Sequence, residues 1–268
     1  MSMDLSRIVD QPASGRRTPL ILDHLRYTQA LLLRGASVPW EDVAGFVSFF
    51  GQAQGLLKPD AALVDLGALY GAAVERRPEL RAAMTARSRT GYALKTLLAD
   101  ESLAADSVAL ASAVAHTSRV PLVLQVPAPL TWLARLERQV GAGDPDGIDQ
   151  DDAENMAIYL ADWLRRLSSL PVAVLLLDAR RADLAGLVAD SLAESTPVAN
   201  TAEHYRWTLG MRFDDRVETG GGEYAGAVLP ARYWSGADVA VPEGSFLLSE
   251  IPATASPEVV LARLAELG

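Results

Sequence analysis

The stretch Val172-Ala-Val-Leu-Leu-Leu-Asp178 decides how the rest of the chain is interpreted. Six consecutive apolar residues followed by a carboxylate are typical of a strand buried in a parallel sheet, where helices cover both faces. Pro171 precedes the stretch and ends an amphipathic segment, which we predict to be a helix over 152–170. The pattern therefore predicts a helix followed by a buried strand, as in an α/β fold.

The same alternation extends through the chain. Further strands are predicted at Pro19–Asp23, Ala61–Leu66, Pro121–Val126, Tyr205–Phe213 (or Val198–Asn200), Gly226–Leu229 and Ser245–Ser249. Helices are predicted at Pro39–Leu57 with Ser37 as its cap, Pro78–Leu98, Ser107–His116, from about Thr131, Ala182–Ala193 and Pro257–Leu267. The segments 214–224 and 235–244 are predicted to be loops.

Up to eight strands in this order predict a compact α/β (β/α)8 barrel of the TIM type. Its late βα units are expected to be shortened, because no helix of normal length fits between the strands near 213 and 226. Residues 1–18 are predicted to be a loose lead-in, and 19–268 a single barrel domain. A doubly wound open sheet remains the alternative, although Asp23-His-Leu-Arg-Tyr stands where its dinucleotide-binding form has G-x-G-x-x-G.

Composition excludes several classes of chemistry. The chain has no cysteine, so disulfides, cysteine-ligated zinc and iron–sulfur clusters are excluded. A formal charge of −10 argues against general binding to nucleic acid or to anionic membranes. No apolar leader or membrane-spanning run is visible, which predicts a cytoplasmic protein.

Polar residues at predicted strand ends are the candidate site residues, because active sites of such barrels lie at the C-terminal ends of the strands. The catalytic candidates are Asp23, His24, Asp178 and His204. The substrate-binding candidates are Arg26, Asp65, Gln125, Arg180, Arg206, Arg232, Tyr233 and Glu250.

Each candidate has a functional and a structural interpretation. His24 could act as an acid or base near neutral pH, or belong to a strand-end hydrogen-bond network. Asp178 could bind a cation, orient a substrate amine or act as a base, and it could equally cap the next helix. Arg180 could grip a substrate carboxylate or form a salt bridge to Asp178. Because side chains alternate along a strand, either His204 with Arg206 or Tyr205 with Trp207 is expected to face the site.

Signals for a metal or a phosphate are weak. Oxygen and nitrogen ligands could come from Asp23, His24, Asp65, Asp178, His204 and Glu250, but no HxxxH or HxH spacing supports a metal site, and none is predicted. The Gly220–Gly222 run lacks the surroundings of a phosphate-binding loop and is predicted to be a mobile loop or a hairpin turn, or else a lid over the barrel mouth. The cofactor is left unknown.

Three segments resemble one superfamily of barrels, that of uroporphyrinogen decarboxylase and cobalamin-independent methionine synthase. Residues 120–132 resemble the strand that ends in a Gly-Ala-Pro-Phe-Thr or Pro-Gly-Pro turn in those families. Val174-Leu-Leu-Leu-Asp178 resembles the next strand, which ends in an acidic residue in both. Residues 244–250 and Ser256-Pro-Glu258 resemble the last strand and the start of the closing helix. The order and spacing agree over roughly residues 60–268.

The resemblance implies lyase-type (decarboxylase-like) or methyl- or alkyl-transferase-type chemistry on a small carboxylated metabolite, with Asp65 at the position of the aspartate that follows the family's second strand. The sequence departs from both families at functional positions. The zinc-binding cysteines of the methyltransferases are missing. Arg26 is the one candidate for the decarboxylases' Arg-Gln-Ala-Gly-Arg segment, Trp132 and Leu133 stand near their tyrosine, and Glu250-Ile-Pro252 replaces their histidine.

A second hypothesis belongs to another class. The chain could be a catalytically degenerate barrel that serves as an accessory subunit, with apolar residues Trp40, Phe46 and Phe50 covering a partner enzyme. Formation of a homodimer is also left open.

Overall fold

The computed structural model describes residues 4–141, 147–181, 184 and 188–268, and within them the chain forms a mixed α/β fold. The strands are β1 (Leu20–Asp23), β2 (Ala62–Asp65), β3 (Leu122–Pro127), β4 (Val172–Asp178), β5 (Thr208–Arg212), β6 (Arg216–Thr219), β7 (Gly226–Val228) and β8 (Phe246–Glu250). The helices are α1 (Leu5–Asp10), α2 (Leu25–Leu32), α3 (Val43–Leu57), α4 (Leu66–Arg76), α5 (Pro78–Met84), α6 (Tyr92–Leu98), α7 (Glu101–Thr117), α8 (Pro129–Val140), α9 (Gln150–Leu164), α10 (Thr196–His204) and α11 (Pro257–Glu266).

The eight strands form one sheet in the order β1-β8-β7-β6-β5-β4-β3-β2, which curls into a nearly closed barrel. The seam lies between β1 and β2, which are in contact without a hydrogen-bonded ladder. Asp60 closes the amino-terminal end of this seam: its N–H donates to Leu20 O at 2.8 Å, and its Oδ2 accepts from Leu20 N at 2.9 Å. The expected eight-stranded α/β barrel is thus confirmed in its general form.

The sheet departs from an all-parallel arrangement at β6. This strand lies inside the predicted loop 214–224 and pairs antiparallel with both β5 and β7. Three residues, 213–215, join β5 to β6, whereas a parallel crossover needs a dozen or more. Because β6 runs towards the amino-terminal end of the barrel, the turn at Gly220–Gly222 lies at that end. The alternative prediction of a lid over the mouth is therefore wrong, and the hairpin-turn prediction is confirmed.

Inward-facing apolar side chains fill the interior of the barrel from its amino-terminal end up to the last residues of the strands. They come from alternate positions of the strands: Ile21, Leu63, Val123, Val174, Leu176, Val217, Phe246 and Leu248. Helix α1, in the segment predicted to be a lead-in, adds the buried side chains Leu5 and Ile8 to this cluster. The amino-terminal end of the interior is therefore covered, and an opening is left at the carboxyl end.

The helices outside the sheet bury the opposite faces of the strands. Trp40, Phe46 and Phe50 pack in this outer core, each 5% exposed or less. They therefore offer no free apolar face of the kind that the accessory-subunit hypothesis assumed. Asp42, and not Ser37, caps α3 by accepting from Gly45 N.

Three predicted elements differ from the structure in the outer layer. The helix predicted over 78–98 is divided into α5 and α6, with a break that includes Gly91 at φ 78°. The helix predicted over 182–193 lies partly outside the described residues, and its described part, 184 and 188–193, is not helical. Residues 198–200 belong to α10, so the alternative strand position, near 205–213, is the one that forms.

None of the helices in the described part of the chain combines the length and the hydrophobicity needed to cross a bilayer.

Candidate functional site at the carboxyl end of the barrel

The last inward-facing position of most strands is polar, in contrast to the apolar layers beneath. These residues are Asp23, Asp65, Gln125, Asp178, Arg212 and Glu250. The strand register pairs Asp23 with Glu250, Asp65 with Gln125, and Asp178 with Arg212. Since neighbouring strands lie about 4.8 Å apart, the side chains form one polar layer across the mouth of the barrel.

Arg212 is the centre of this layer. Its Nη1 donates to Asp23 Oδ2 at 2.8 Å and to Gln125 Oε1 at 3.0 Å, while Gln125 Nε2 donates to the same Asp23 oxygen at 3.4 Å. The Arg212 side chain is only 1% exposed, and its Nε has no partner among the described residues. Its charge is therefore compensated chiefly by Asp23, inside the barrel.

Arg180, which follows the carboxyl end of β4, joins two further carboxylates of the polar layer. Its Nε and Nη2 bind the Asp178 carboxylate in a bidentate manner at 2.8 and 2.7 Å, and its Nη1 donates to Glu250 Oε2. Burial alone would raise the pKa of Asp178, but hydrogen bonds and charge from Arg180 outweigh burial and lower it. Of the two interpretations of Arg180, the structure shows the salt bridge to Asp178, and the partly exposed guanidinium also lines the cleft described below.

Asp65 differs from the other carboxylates because none of the arginines in the described part of the chain forms an ion pair with it. It caps α4, with its Oδ1 accepting from Ala68 N at 3.0 Å. Burial, followed by repulsion from Asp23, raises the pKa of Asp65 to about 7; Asp178 adds to the rise, and the Ala68 N–H and Arg180 oppose it. The site thus contains a carboxyl group that changes its protonation state near neutral pH.

A cleft of about 1040 Å³ opens above this layer. Its floor includes Asp23, Asp65, Asp178, Arg180 and Glu250, and its walls come from α2, α4, α8 and the segment 35–40. Small residues of α4 leave room along one wall, and these are Gly67, Ala68, Gly71 and Ala72. The volume is at the upper end of the range for small-molecule sites.

The charges of the cleft are unevenly distributed. The four carboxylates of the polar layer, together with the guanidiniums of Arg212 and Arg180, leave a formal excess of two negative charges when all are ionised. The cleft walls carry Arg26, Arg76 and Arg135 together with Glu75. Arg26 is exposed and has no ion-pair partner in the described ranges. The floor therefore carries more carboxylates than guanidiniums, whereas the wall carries more guanidiniums than carboxylates.

His24 follows Asp23 directly and therefore points away from the barrel interior. It is 2% exposed, contacts the Phe50 ring at 5.3 Å between centroids, and lies 3.0 Å from Gln54 Nε2 through its own Nε2. Burial, opposed only in part by Asp23, lowers the pKa of His24 to about 4. The structure thus places it in a buried network that it enters as a neutral ring, and not in the cleft.

The predicted candidates His204 and Arg206 lie at the opposite end of the barrel. His204 is the last residue of α10, and both residues precede β5, whose carboxyl end carries Arg212 at the site. Both side chains are exposed. The prediction placed them at a strand end, but the chain enters the strand there instead of leaving it.

Arg232 and Tyr233 lie outside the cleft as well. They belong to a short 3-10 turn, Ala231–Ser235, in which Arg232 is exposed. Tyr233 is buried against α11 and donates from its hydroxyl to Arg263 O at 3.0 Å. Its contacts attach the closing helix to the barrel.

Arg212 is the site residue that the sequence prediction missed. Trp207, Leu209 and Met211 alternate along the predicted strand and point to the outer core, so Arg212 falls on the interior face, above Gly210. That alternation was a signal, but an arginine inside a barrel is unexpected unless an acidic partner from another strand is known.

Among the residues that the structure describes, no three His, Asp or Glu side chains are grouped so as to hold a metal ion. Asp65, Asp178 and Glu250 contribute to the site, but the two histidines considered as ligands are turned away from it or lie at the far end. No family model, curated protein or solved structure matches this chain.

Proposed function

We propose that this chain is a divergent barrel enzyme, similar to uroporphyrinogen decarboxylase and cobalamin-independent methionine synthase, that performs lyase- or transferase-type chemistry on a small carboxylated metabolite without cysteine-bound zinc. The observation that carries the proposal is the position of Asp65 on the floor of a large cleft at the carboxyl end of the barrel. Its surroundings raise the pKa of this carboxyl group to about 7. The finer assignment of the fold, a (β/α)8 barrel of the TIM type with shortened late βα units, is part of the same proposal.

Asp65 is suited to general acid–base catalysis. A carboxyl group with a pKa near the working pH is present in both protonation states and can give a proton to the reacting atom of a substrate or take one from it. Its Oδ1 accepts the α4 cap hydrogen bond, the residue lines the cleft, and Oδ2 has no donor among the described residues. The decarboxylase-like and transferase-like reactions that the resemblance suggests both benefit from such a group.

The surrounding ion pairs would keep the site in place. Arg212 holds Asp23, and Arg180 holds Asp178 and Glu250, so four strand ends are joined by charge-assisted hydrogen bonds. Arg26, which is exposed on the cleft wall, would bind the carboxylate of the metabolite. Asp23 and Asp178 therefore serve as orienting groups in this mechanism, and the acid–base role passes from His24 to Asp65.

The test is a screen in D2O. Panels of carboxylic and amino acids are incubated with the protein, and NMR follows both product formation and exchange of substrate C–H for C–D. We expect at least one metabolite to react, with a rate reduced by about 100-fold or more in Asp65→Asn. Glu101→Gln, an exposed charge change on α7, should keep the wild-type rate. Equal rates in Asp65→Asn and the wild type would exclude Asp65 as the acid or base.

A further inference from the structure

The side chain of Arg180 spans the mouth of the barrel. Arg180 follows β4, and its Nη1 donates to Glu250 Oε2 at the end of β8. Three strands separate β4 from β8 in either direction around the sheet, β7, β6 and β5 on one side and β3, β2 and β1 on the other. The two strand ends therefore face each other across the opening, and the contact between Arg180 and Glu250 connects them.

The two ends of this connection are held differently. At the β4 end, the Asp178 carboxylate accepts from Nε and Nη2 of Arg180 at 2.8 and 2.7 Å, and from the Arg180 backbone N–H at 3.2 Å. At the β8 end, one nitrogen of Arg180 binds one oxygen of Glu250. The Asp178 side chain is 8% exposed, whereas that of Glu250 is 30% exposed and lines the cleft. The contact with Glu250 is therefore the weaker end and the one that a ligand can reach.

Release of Glu250 would leave neither partner as an isolated buried charge. Arg180 would keep its bidentate pair with Asp178. Glu250 Oε2 lies 3.7 Å from Arg212 Nη2, so a movement of less than about 1 Å would bring this carboxylate within hydrogen-bond distance of a second guanidinium. Arg212 binds Asp23 through Nη1, and its Nη2 is the nitrogen directed to Glu250.

We propose that Glu250 occupies the anion-binding position of Arg180 while the cleft holds no ligand, and that a carboxylate group of the ligand displaces it. The exchange keeps the number of charge-assisted hydrogen bonds at Arg180 unchanged, since one carboxylate replaces another. Glu250 is then a specificity-determining residue, because a neutral group cannot compete with its carboxylate for the guanidinium.

This inference rests on the proposed function and refines it. Arg26 on the wall would receive the carboxylate of the metabolite, and the exchange at Arg180 would admit it to the floor that contains Asp65. The excess of negative charge on the floor opposes the entry of an anion, and Asp23 Oδ2 lies 3.9 Å from Arg180 Nη2. Displacement lowers this penalty, because Glu250 moves away from Arg180 and towards Arg212 as the ligand arrives.

The experiment measures the affinity of the whole chain for three small carboxylates, acetate, malonate and succinate, each compared with its neutral amide. Isothermal titration at pH 7 and low salt gives the dissociation constants. Glu250→Gln should bind at least one carboxylate about 10- to 100-fold more tightly than the wild type, the range for one charge-assisted hydrogen bond, because no internal carboxylate then competes at Arg180. Acetamide, malonamide and succinamide should bind equally weakly to both proteins.

Two further variants separate displacement from a general effect of charge. Glu75→Gln removes an exposed carboxylate of the cleft wall that forms no ion pair within the described ranges, and it should tighten binding by less than about threefold. Arg180→Lys keeps a cation beside Asp178, but one nitrogen cannot hold that carboxylate in a bidentate manner and bind Glu250 as well. Adding Glu250→Gln to Arg180→Lys should therefore change the affinity by less than about threefold.

Displacement would be refuted by equal affinities of Glu250→Gln and the wild type for all three carboxylates, including no measurable binding by either. An equal gain in Glu75→Gln, or a gain that persists in the Arg180→Lys background, would also overturn it.

The failure of this inference and that of the proposed function can be told apart. Tighter binding by Glu250→Gln, without turnover or C–H exchange in the D2O screen, would support displacement and refute the proposed enzyme. Turnover that depends on Asp65, with the same KM in Glu250→Gln and the wild type, would support the enzyme and refute displacement.

Discussion

Arg212 Nη1 lies 2.8 Å from Asp23 Oδ2, and this contact joins two residues that are 189 positions apart in the chain. It connects the carboxyl ends of β1 and β5 through the barrel interior, where both side chains are largely removed from water. A buried ion pair of this kind contributes little net stability compared with apolar residues, but the loss of one partner leaves an uncompensated buried charge.

Arg212→Met should therefore lower the free energy of unfolding by about 3–5 kcal/mol, because Asp23 would remain buried without its main cation. Urea denaturation at pH 7 measures the change. Arg216→Met is the matched control on the adjoining strand: that arginine is 52% exposed and pairs with Asp215 and Glu218, so its loss should cost less than about 1 kcal/mol. Equal losses in the two variants would show that Asp23 does not depend on Arg212.

Two glycines of α4 give a second test. A Cβ at Gly67 would lie 2.6 Å from Pro127 Cδ, whereas a Cβ at Gly71 would meet nothing within 4 Å. Gly67→Ala should destabilise the protein by about 1–3 kcal/mol, since the start of α4 must move away from β3. Gly71→Ala should be neutral or stabilise the helix by up to about 1 kcal/mol. Thermal unfolding of both variants checks this, and an opposite order would contradict the close contact at Gly67.

Asp65 makes a pH-dependent contribution to stability. Its pKa is about 7 in the folded chain, against an ordinary value of 3.8, so the folded state binds the proton more tightly. This contribution is fully present below pH 4 and is lost as the pH rises towards 7, by at most about 4 kcal/mol. Asp65→Asn keeps the helix cap and cannot ionise. It should match the wild type at pH 4 and be more stable at pH 8, as urea denaturation across that range would show.

His24 acts in the opposite direction over nearly the same range. Its pKa is about 4 when folded and 6.5 in the unfolded chain, so the unfolded state binds the proton more tightly. Stability from the neutral ring is present above pH 6.5 and is lost as the pH falls towards 4, by about 3 kcal/mol. The two groups therefore offset each other in the wild type.

Single variants can separate the pH-dependent contributions of Asp65 and His24 to stability. In Asp65→Asn, stability should fall as the pH is lowered from 6.5 to 4, because His24 is then unopposed. In His24→Gln, which cannot titrate, stability should instead fall as the pH is raised from 4 to 7. The same pH slope in both variants and the wild type would mean that neither group has the shifted pKa described here.

Most of the residues at the strand ends could be predicted from the sequence. Asp23, Asp65, Gln125, Asp178 and Glu250 were selected because each ends an apolar run, and the structure gathers all five into one layer. The rule worked because parallel strands of one sheet bring their carboxyl ends to the same edge. The rule failed at His204, because a polar cluster does not show whether it lies before or after a strand. His204 lies before β5, at the amino-terminal end of the barrel.

The β5–β7 region shows a different limit. The sequence has no helical pattern between 213 and 226, and this indicated an abbreviated connection. It did not indicate that β6 is a strand, because Arg216–Thr219 is short and carries exposed charges on an antiparallel segment. Only the neighbouring strands give this segment hydrogen-bond partners and so make it part of the barrel.

By itself, the sequence determined the alternation of buried strands and helices, the absence of cysteine chemistry, and most of the carboxylates at the site, because apolar periodicity and composition are local properties. Tertiary structure alone decided which charges meet. Arg212 pairs with Asp23 and Arg180 with Glu250 across large sequence separations, and His24 is buried although it adjoins Asp23. Burial and the proximity of charges set the pKa of Asp65, and both depend on the closure of the sheet, which no local pattern encodes.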